Sequence, residues 1–291
     1  MSHQSLTVIG ATGTLSVPVI KQLINRGVSV KAVVRNVEKA RTLLPEETEI
    51  VYGDVEDKES LIKALQGSEH VYIHLNTTSL DANLSFHPER EGVRNIIAAA
   101  EQNQVKQLIQ IGGIESLRSD FALEGRQLKT SLIREQGMSY VKESKIAHTF
   151  LLCSFFVDSF PVYIQERTFA LFGNLKHSLY FTNTHQLANS ILNAIGNPEA
   201  FNRSFAIQGK EGMSFPEAAR RFIHNFNPDI TIEHYPIEVI QQMGLPAEQV
   251  EFMEHMMLFV EQLAEQPIQD ESWKVLGEPK LSFDEFVKQL K

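Results

Sequence analysis

The sequence predicts an α/β protein: a doubly wound parallel sheet, Rossmann-like, followed by a smaller α+β C-terminal lobe. Three observations predict it. Apolar runs rich in β-branched residues alternate with helix-period segments as far as Cys153, the order expected of a parallel sheet covered by helices on both faces. The first of these runs, Leu6 to Ile9, passes directly into Gly10-Ala11-Thr12-Gly13-Thr14-Leu15-Ser16 and then into a helical pattern. After about residue 154 the rhythm breaks, with Phe155, Phe156, Phe160 and Tyr163 crowded together and Gly173 and Gly196 marking turns. The division this suggests is a nucleotide-type domain over 1–154 and a smaller lobe over 155–291 packed closely on it, with the sheet open to being shared between them.

Taken in order, the strands fall at Leu6 to Ile9, Ser29 to Val34, Thr48 to Tyr52, His70 to Leu75, Gln107 to Ile111 and His148 to Cys153, with helices near 15–26, 37–44, 57–66, 88–103 and 126–144 between them. The helix after Pro88 has the clearest pattern. Val93, Ile96, Ile97 and Ala100 form one apolar stripe at i, i+3, i+4, i+7, and a proline suits a first turn. Further on, short strands near 179–182 and 204–207 alternate with helices near 184–196 and 214–226, and a longer helix covers 246–265. In that last helix Val250, Met253, Met256, Met257, Val260 and Leu263 make an amphipathic stripe, either core or a cover over a flat apolar ligand.

At 291 residues and 43% hydrophobic, the chain is long enough to bury a large core. The net charge of −9 is unevenly spread: residues 228–291 carry 13 Asp and Glu against 4 Lys, while 1–227 balance 23 against 23. The acidic end would repel a phosphate backbone, which argues against direct nucleic-acid binding there. Cys153 is the only cysteine, so an internal disulfide is excluded, and its apolar surroundings read as those of a buried, inert thiol. No apolar run approaches the roughly 20 residues of a membrane span, and the expectation is a cytoplasmic protein.

A strand that feeds a glycine-rich turn opening a helix is a phosphate-binding device, because small residues admit a pyrophosphate to backbone N–H groups at the positive end of a helix. Arg35 ends the second strand, where NAD-selective proteins often place an acidic residue on the ribose 2′-hydroxyl; an arginine there suits a 2′-phosphate. The cofactor expected is therefore NADP(H), preferred over NAD(H). Asp54, after Gly53 at the end of the third strand, either accepts a hydrogen bond from an adenine amino group or caps the helix that follows. Asn76-Thr77-Thr78 ends the fourth strand, as a lining for ribose and nicotinamide or as a turn. Gly112-Gly113 follows the fifth strand and supplies space but no side chain.

These residues resemble the NmrA-like, atypical members of the short-chain dehydrogenase/reductase superfamily, a group of NAD(P)H-dependent quinone-type reductases and redox-sensing regulators. The resemblance rests on Gly10 to Ser16, Val33-Val34-Arg35, Gly53-Asp54-Val55, Gly92 to Ala100, Ser154 to Asp158, Ile207-Gln208-Gly209 and Ser214 to Ala219. It implies a pyrophosphate over residues 10–15, with Gly10, Thr12, Gly13, Thr14 and Leu15 in contact. Arg35 would lie near the 2′-phosphate, Asp54 and Val55 near adenine, and Leu75, Asn76 and Thr77 near the nicotinamide ribose. Gly112, Phe155 and Phe156 would border the substrate pocket.

The departures matter as much. Enzymes of the wider superfamily use a serine after the fifth strand and a Tyr-x-x-x-Lys pair on the next helix; here Gly112-Gly113 takes the first place and no such pair occurs in 112–146. The lysine and glutamate that NmrA-like enzymes often keep on that helix align near Glu135 and Met138, with Arg134 adjacent. Ser16 replaces the third glycine of the turn, and Gln186 stands where the family often has aspartate. Tyr140 and Lys142 are two apart and point to different faces. No residue is therefore named as catalytic, and no metal site is seen. The functional expectation is an NADPH-dependent reductase of a flat apolar acceptor such as a quinone, the alternative being a non-catalytic NADP(H) sensor read by a protein partner. Neither a nucleic acid nor a membrane is expected as a partner.

Overall fold

A computed structural model describes residues 4–117 and 127–290. Its main sheet is built from β1 (Ser5–Ile9), β2 (Ser29–Val34), β3 (Glu49–Tyr52), β4 (His70–Ile73), β5 (Gln107–Gly113), β6 (Ala147–Cys153) and a strand much later in the chain, Arg203–Ile207. In space the order is β3-β2-β1-β4-β5-β6 and then Arg203–Ile207, every neighbouring pair parallel. The direction of strand addition reverses between β1 and β4, and the crevice at such a reversal, beyond the carboxyl ends of the strands, is where ligands of open α/β sheets bind.

Residues along each strand alternate between two cores. Val8, Ala32, Tyr72, Ile109 and Leu151 face one side, against α1 (Ser16–Ile24) and a later helix, Thr184–Ala194. Ile9, Val33, Ile73, Leu108 and Phe150 face the other, against α3 (Lys58–Ala64), α4 (Val93–Gln102) and α5 (Lys129–Glu143). Burial on both faces is why these strands read as continuous apolar runs. α2 (Val37–Leu43) is capped by Asn36, whose side chain accepts from the Lys39 N–H at 2.9 Å. The first turn of the segment after His87, Pro88–Gly92, is a π-type turn, and only from Val93 does α4 run as a regular helix.

After β6 come β7 (Ile164–Gln165), β8 (Thr168–Phe172), β9 (Ser178–Leu179), α6 (Thr184–Ala194), β10 (Arg203–Ile207), β11 (Met213–Ser214), α7 (Phe215–Phe226), β12 (Thr231–Tyr235), α8 (Ala247–Gln262), α9 (Asp270–Leu276) and α10 (Phe283–Gln289). β10 completes the main sheet, β12-β8-β7 form a second sheet, and β11-β9 a short antiparallel pair. Phe160 lies at the centre of a cluster of rings, stacked on Phe215 at 5.1 Å and within 6.3 Å of Phe169, Phe181, Phe222 and Phe283.

Several boundaries differ from the sequence expectation. The fourth strand stops at Ile73, leaving Leu75 in the loop beyond it, and the fifth continues to Gly113. The strand expected over 179–182 pairs only at Ser178–Leu179, with Phe156 and Thr182 forming an isolated bridge. α5 starts at Lys129, and residue 126, where its start was expected, lies outside the described residues. The pair β8 and β12 was not anticipated: Phe169 and Leu171 alternate inward, but among so many aromatics that alternation was hidden, and Thr231–Tyr235 is a largely exposed edge of mixed polarity. α9 and α10 were also missed, each being seven residues long. The Ser282/Glu285 capping box that opens α10 was a readable signal.

Candidate functional site

The turn after β1 is shaped by Gly10. Its φ is +83°, and a Cβ there would lie 2.0 Å from the His74 carbonyl oxygen, so the backbone of β1 and the end of β4 touch in a way only glycine permits. The turn then closes through Gly13 N–H to Gly10 O (3.2 Å) and the Ser16 and Val17 N–H groups to Gly13 O (3.0 and 3.1 Å). α1 begins without a side-chain cap, and among the described residues the N–H groups of Thr12, Thr14 and Leu15 have no partner. Uncapped, partnerless donors at a helix start are suited to an anion.

Ser16, in the third glycine's place, is fully buried, and its Oγ lies 3.0 Å from His74 Nδ1; the Tyr72 hydroxyl is 3.2 Å from the same nitrogen. Burial, with Arg134 adding to it, lowers the His74 pKa to about 4. The ring is neutral at physiological pH and belongs to the support of the turn.

Beyond the turn opens a cavity of about 620 Å³ at the carboxyl ends of β1, β4, β5 and β6. Of the residues expected to contact cofactor or substrate, it brings together Gly13, Thr14, Leu15, Leu75, Asn76, Thr77, Gly112, Phe155 and Phe156. Thr77 is buried, and its hydroxyl has no partner among the described residues. Gly10, Thr12, Arg35, Asp54 and Val55 lie outside that wall: Gly10 and Thr12 within the turn, the others just past β2 and β3 on the same edge of the sheet. Arg35 is exposed and has no ion-pair partner among the described residues. Asp54 does not cap α3. Asp57 does, accepting from the Glu59 and Ser60 N–H groups at 3.0 and 3.2 Å, while the Asp54 carboxylate closes a turn on the Glu56 N–H at 3.1 Å.

The far end of the cavity is where sequence reasoning missed the most. A Cβ on Gly113 would lie 2.1 Å from the Glu115 carboxylate, so that acid fills the space a side chain at 113 would take. The Ser131 hydroxyl on α5 donates to Glu115 Oε1, and the Arg134 guanidinium stands 3.7 Å from it. Arg134 is held more tightly from behind, its Nε donating at 2.6 Å to Glu89, which is 2% exposed and sits in the π-type turn. The two carboxylates hold Arg134 even further above its already high pKa, against the opposing effect of burial. The readable signal was the spacing of Ser131, Arg134 and Met138, which puts an arginine on the inward face of α5. Tyr140 and Lys142 do diverge: Arg94 stacks on the Tyr140 ring at 4.0 Å, and the Lys142 ammonium lies over Phe150 at 5.6 Å.

Phe252, Met256, Phe259 and Leu263 of α8 and its end border the cavity, while Met257 and Val260 turn into the core, so the methionine-rich stripe is divided between cavity wall and core. Two ties pin this cover. His255 Nε2 accepts from the Lys129 N–H at 3.0 Å, and past the helix end the buried Glu265 accepts from Ser154 Oγ (2.7 Å), the Tyr180 N–H (3.1 Å) and Gln208 Nε2 (2.8 Å). Cys153 reaches the cavity wall as a buried thiol whose pKa burial pushes up. Among the described residues no group of His, Cys, Asp and Glu is arranged to hold a metal ion, and no helix is long and apolar enough to cross a membrane.

A family model described as NAD(P)H-binding matches residues 10–198. The chain belongs to this NAD(P)H-binding family. The match starts at the glycine turn and takes in every strand of the main sheet except β1 and β10. Curated relatives include an NAD(P)H azoreductase from Xenophilus azovorans, 25% identical over 97% of this chain and 96% of that protein. The photosystem II assembly factor Ycf39 of Trieres chinensis is 26% identical over 72% of this chain; the match spans 65% of that relative's length. Among solved structures, the NADPH-dependent quinone oxidoreductase of Escherichia coli complexed with NADPH shares the fold with a TM-score of 0.77 at 18% identity, covering 98% of this chain and 99% of that one.

Proposed function

We propose that this member of the NAD(P)H-binding family is an NADPH-dependent reductase of a flat apolar acceptor such as a quinone. The observation that carries the reading is a single cavity joining the two requirements: Gly13 to Leu15 at one end, and Phe155, Phe156 and the rings of α8 at the other. The bound cofactor would supply the hydride. This chain's own residues bind and align. The partnerless N–H groups of the turn and the start of α1 receive the diphosphate, Arg35 pairs with the 2′-phosphate and so favours NADP(H) over NAD(H), Asp54 and Val55 border the adenine, and Thr77 offers its hydroxyl to the ribose. Phe155 and Phe156 hold a planar ring from one side, and α8 excludes water from the other. The names of the azoreductase and the quinone oxidoreductase support an acceptor of this kind.

The test is consumption of NADPH with a panel of quinones and planar dyes. Steady turnover is expected; tight cofactor binding with no turnover across the panel would overturn the reading. A second reading, a non-catalytic NADP(H) sensor acting through a protein partner, is favoured by one observation: of the histidine and cysteine that line the cavity, neither is an acid poised near neutrality, His74 being lowered to about 4 and Cys153 raised. It expects different affinities for NADP⁺ and NADPH without turnover.

A further inference from the structure

A second, smaller cleft of about 190 Å³ lies where the end of α1, the first half of α6 and the segment between α9 and α10 meet, and it shares no lining residue with the main cavity. Its charged groups are Arg26 and Lys280, and none of the described residues lining it is an acid. The acids of the neighbouring segment are engaged elsewhere: Glu278 with Lys210 at 2.8 Å, Asp284 with Arg221 at 2.9 Å, and Glu285 with the Ser282 N–H at 2.8 Å. Arg26 is half-buried, and among the described residues its guanidinium has no ion pair and one hydrogen bond, to Asn189 Oδ1 at 3.5 Å. Lys280 is exposed and equally unpaired. Asn183 is 6% exposed; its Oδ1 accepts from the Gln186 N–H at 2.9 Å, while its Nδ2 has no partner among the described residues. The Gln22 amide nitrogen donates to His185 Nε2 at 2.8 Å, which leaves the ring proton on Nδ1, again without a partner there. Burial, with Arg26 adding to it, lowers the His185 pKa, so the ring lines the cleft as a neutral donor.

We propose that this cleft is a binding site for one small oxyanion, a phosphate or a short dicarboxylate. Two unpaired cations and two unused N–H donors around one small space match a ligand that brings several negatively charged oxygens. A buried amide left without an acceptor is costly, and an oxyanion supplies the acceptor that Asn183 lacks. The chain carries a net charge of −9, with 13 Asp and Glu against 4 Lys over 228–291, so its long-range field repels anions and affinity must come from this local set. With less than a third of the 620 Å³ of the main cavity, the cleft takes a ligand much smaller than a dinucleotide. An anion held here joins Arg26, just past α1, to Lys280, in the segment before α10, and so ties the nucleotide-type domain to the C-terminal lobe. None of this depends on whether the chain reduces an acceptor.

The probes are inorganic phosphate and succinate, titrated calorimetrically into the full chain with excess NADPH present to fill the glycine turn, and with chloride at equal ionic strength as the control. The same titrations on Arg35→Ala remove the other unpaired arginine considered for a phosphate, without relying on the cofactor. Wild type is expected to bind one equivalent of at least one probe with a Kd at or below about 1 mM. Arg26→Gln and Lys280→Gln, each shown to be folded by circular dichroism, should weaken that binding about tenfold. Arg35→Ala should leave it unchanged, and so should Lys106→Gln, which removes an exposed lysine outside the cleft. Binding of phosphate alone assigns a phosphoryl ligand, and binding of succinate alone a dicarboxylate. Heats no larger than those of chloride for both probes on wild type, a measurement that needs no variant, would overturn the proposal. So would an affinity that survives Arg26→Gln, which puts the anion elsewhere, or an equal loss in Lys106→Gln, which makes the attraction one of diffuse charge.

Discussion

The two ends of the cavity are built from different materials. Around Gly10 to Leu15 the working groups are backbone N–H donors set by one glycine at positive φ and by the start of α1. At the other end they are side chains contributed by segments far apart in the chain: Glu115, Arg134 and the rings of α8, with Glu89 buried behind the arginine. A backbone device is written locally, in consecutive residues, whereas a side-chain constellation exists only once the topology has assembled it. Damage to the first end should therefore affect any cofactor chemistry at all, and damage to the second should change the acceptor while leaving the cofactor in place.

The largest expected effect is at Gly10. Gly10→Ala adds a methyl 2.0 Å from the His74 carbonyl oxygen at a φ of +83°, which should cost on the order of 3 kcal/mol in stability and weaken NADPH roughly a hundredfold. Calorimetry and a thermal melt check it, and a variant binding NADPH like wild type would break the backbone half of the comparison. Next is Glu265→Leu, which takes the acceptor from the Tyr180 N–H and the buried Ser154 hydroxyl beneath the cover. About 2 kcal/mol of stability should be lost, together with several-fold weaker acceptor binding and little change in cofactor affinity. A cofactor defect as large as the acceptor defect would mean that the two ends are not separable. Arg35→Ala should weaken NADPH about tenfold and leave NADH nearly untouched; an unchanged ratio of the two affinities would remove the arginine from the cofactor site.

The smallest effect concerns His74. Its folded pKa of about 4 lies below the ordinary value of 6.5, so the stability tied to its neutral form is complete above pH 6.5 and declines as pH falls toward 4. Asp158 and Glu265, both raised by burial, act in the opposite sense. The quantity to read is therefore the difference between wild type and His74→Gln in chemical denaturation across that interval. The difference should shrink as pH falls and be flat above pH 7, and a flat difference throughout would show that the ring is not held neutral by its surroundings.

What was legible in the sequence follows the same division. The alternation that buries Val8, Ala32 and Tyr72 on one face and Ile9, Val33 and Ile73 on the other repeats within each strand, so the main sheet could be read almost residue by residue. The turn could be read because glycine is required where β1 meets the end of β4. The cap of α3 went to Asp57 instead of Asp54 because only Asp57 lies where its carboxylate reaches the Glu59 and Ser60 N–H groups. The inward face of Arg134 was readable from helix spacing, but Glu115 and the pairing of Arg134 were not, since nothing local says that a residue two positions past Gly113 folds back over it, or that Glu89 stands behind an arginine 45 residues later. β12 escaped because an exposed edge strand carries little apolar pattern.

The most direct measurement is a calorimetric titration of the unmodified protein with NADPH and with NADH. A diphosphate seated on the turn, with a guanidinium beside the extra phosphate, predicts saturable binding of both and at least about tenfold tighter binding of NADPH. No heat with either, or NADH bound as tightly as NADPH, would contradict it.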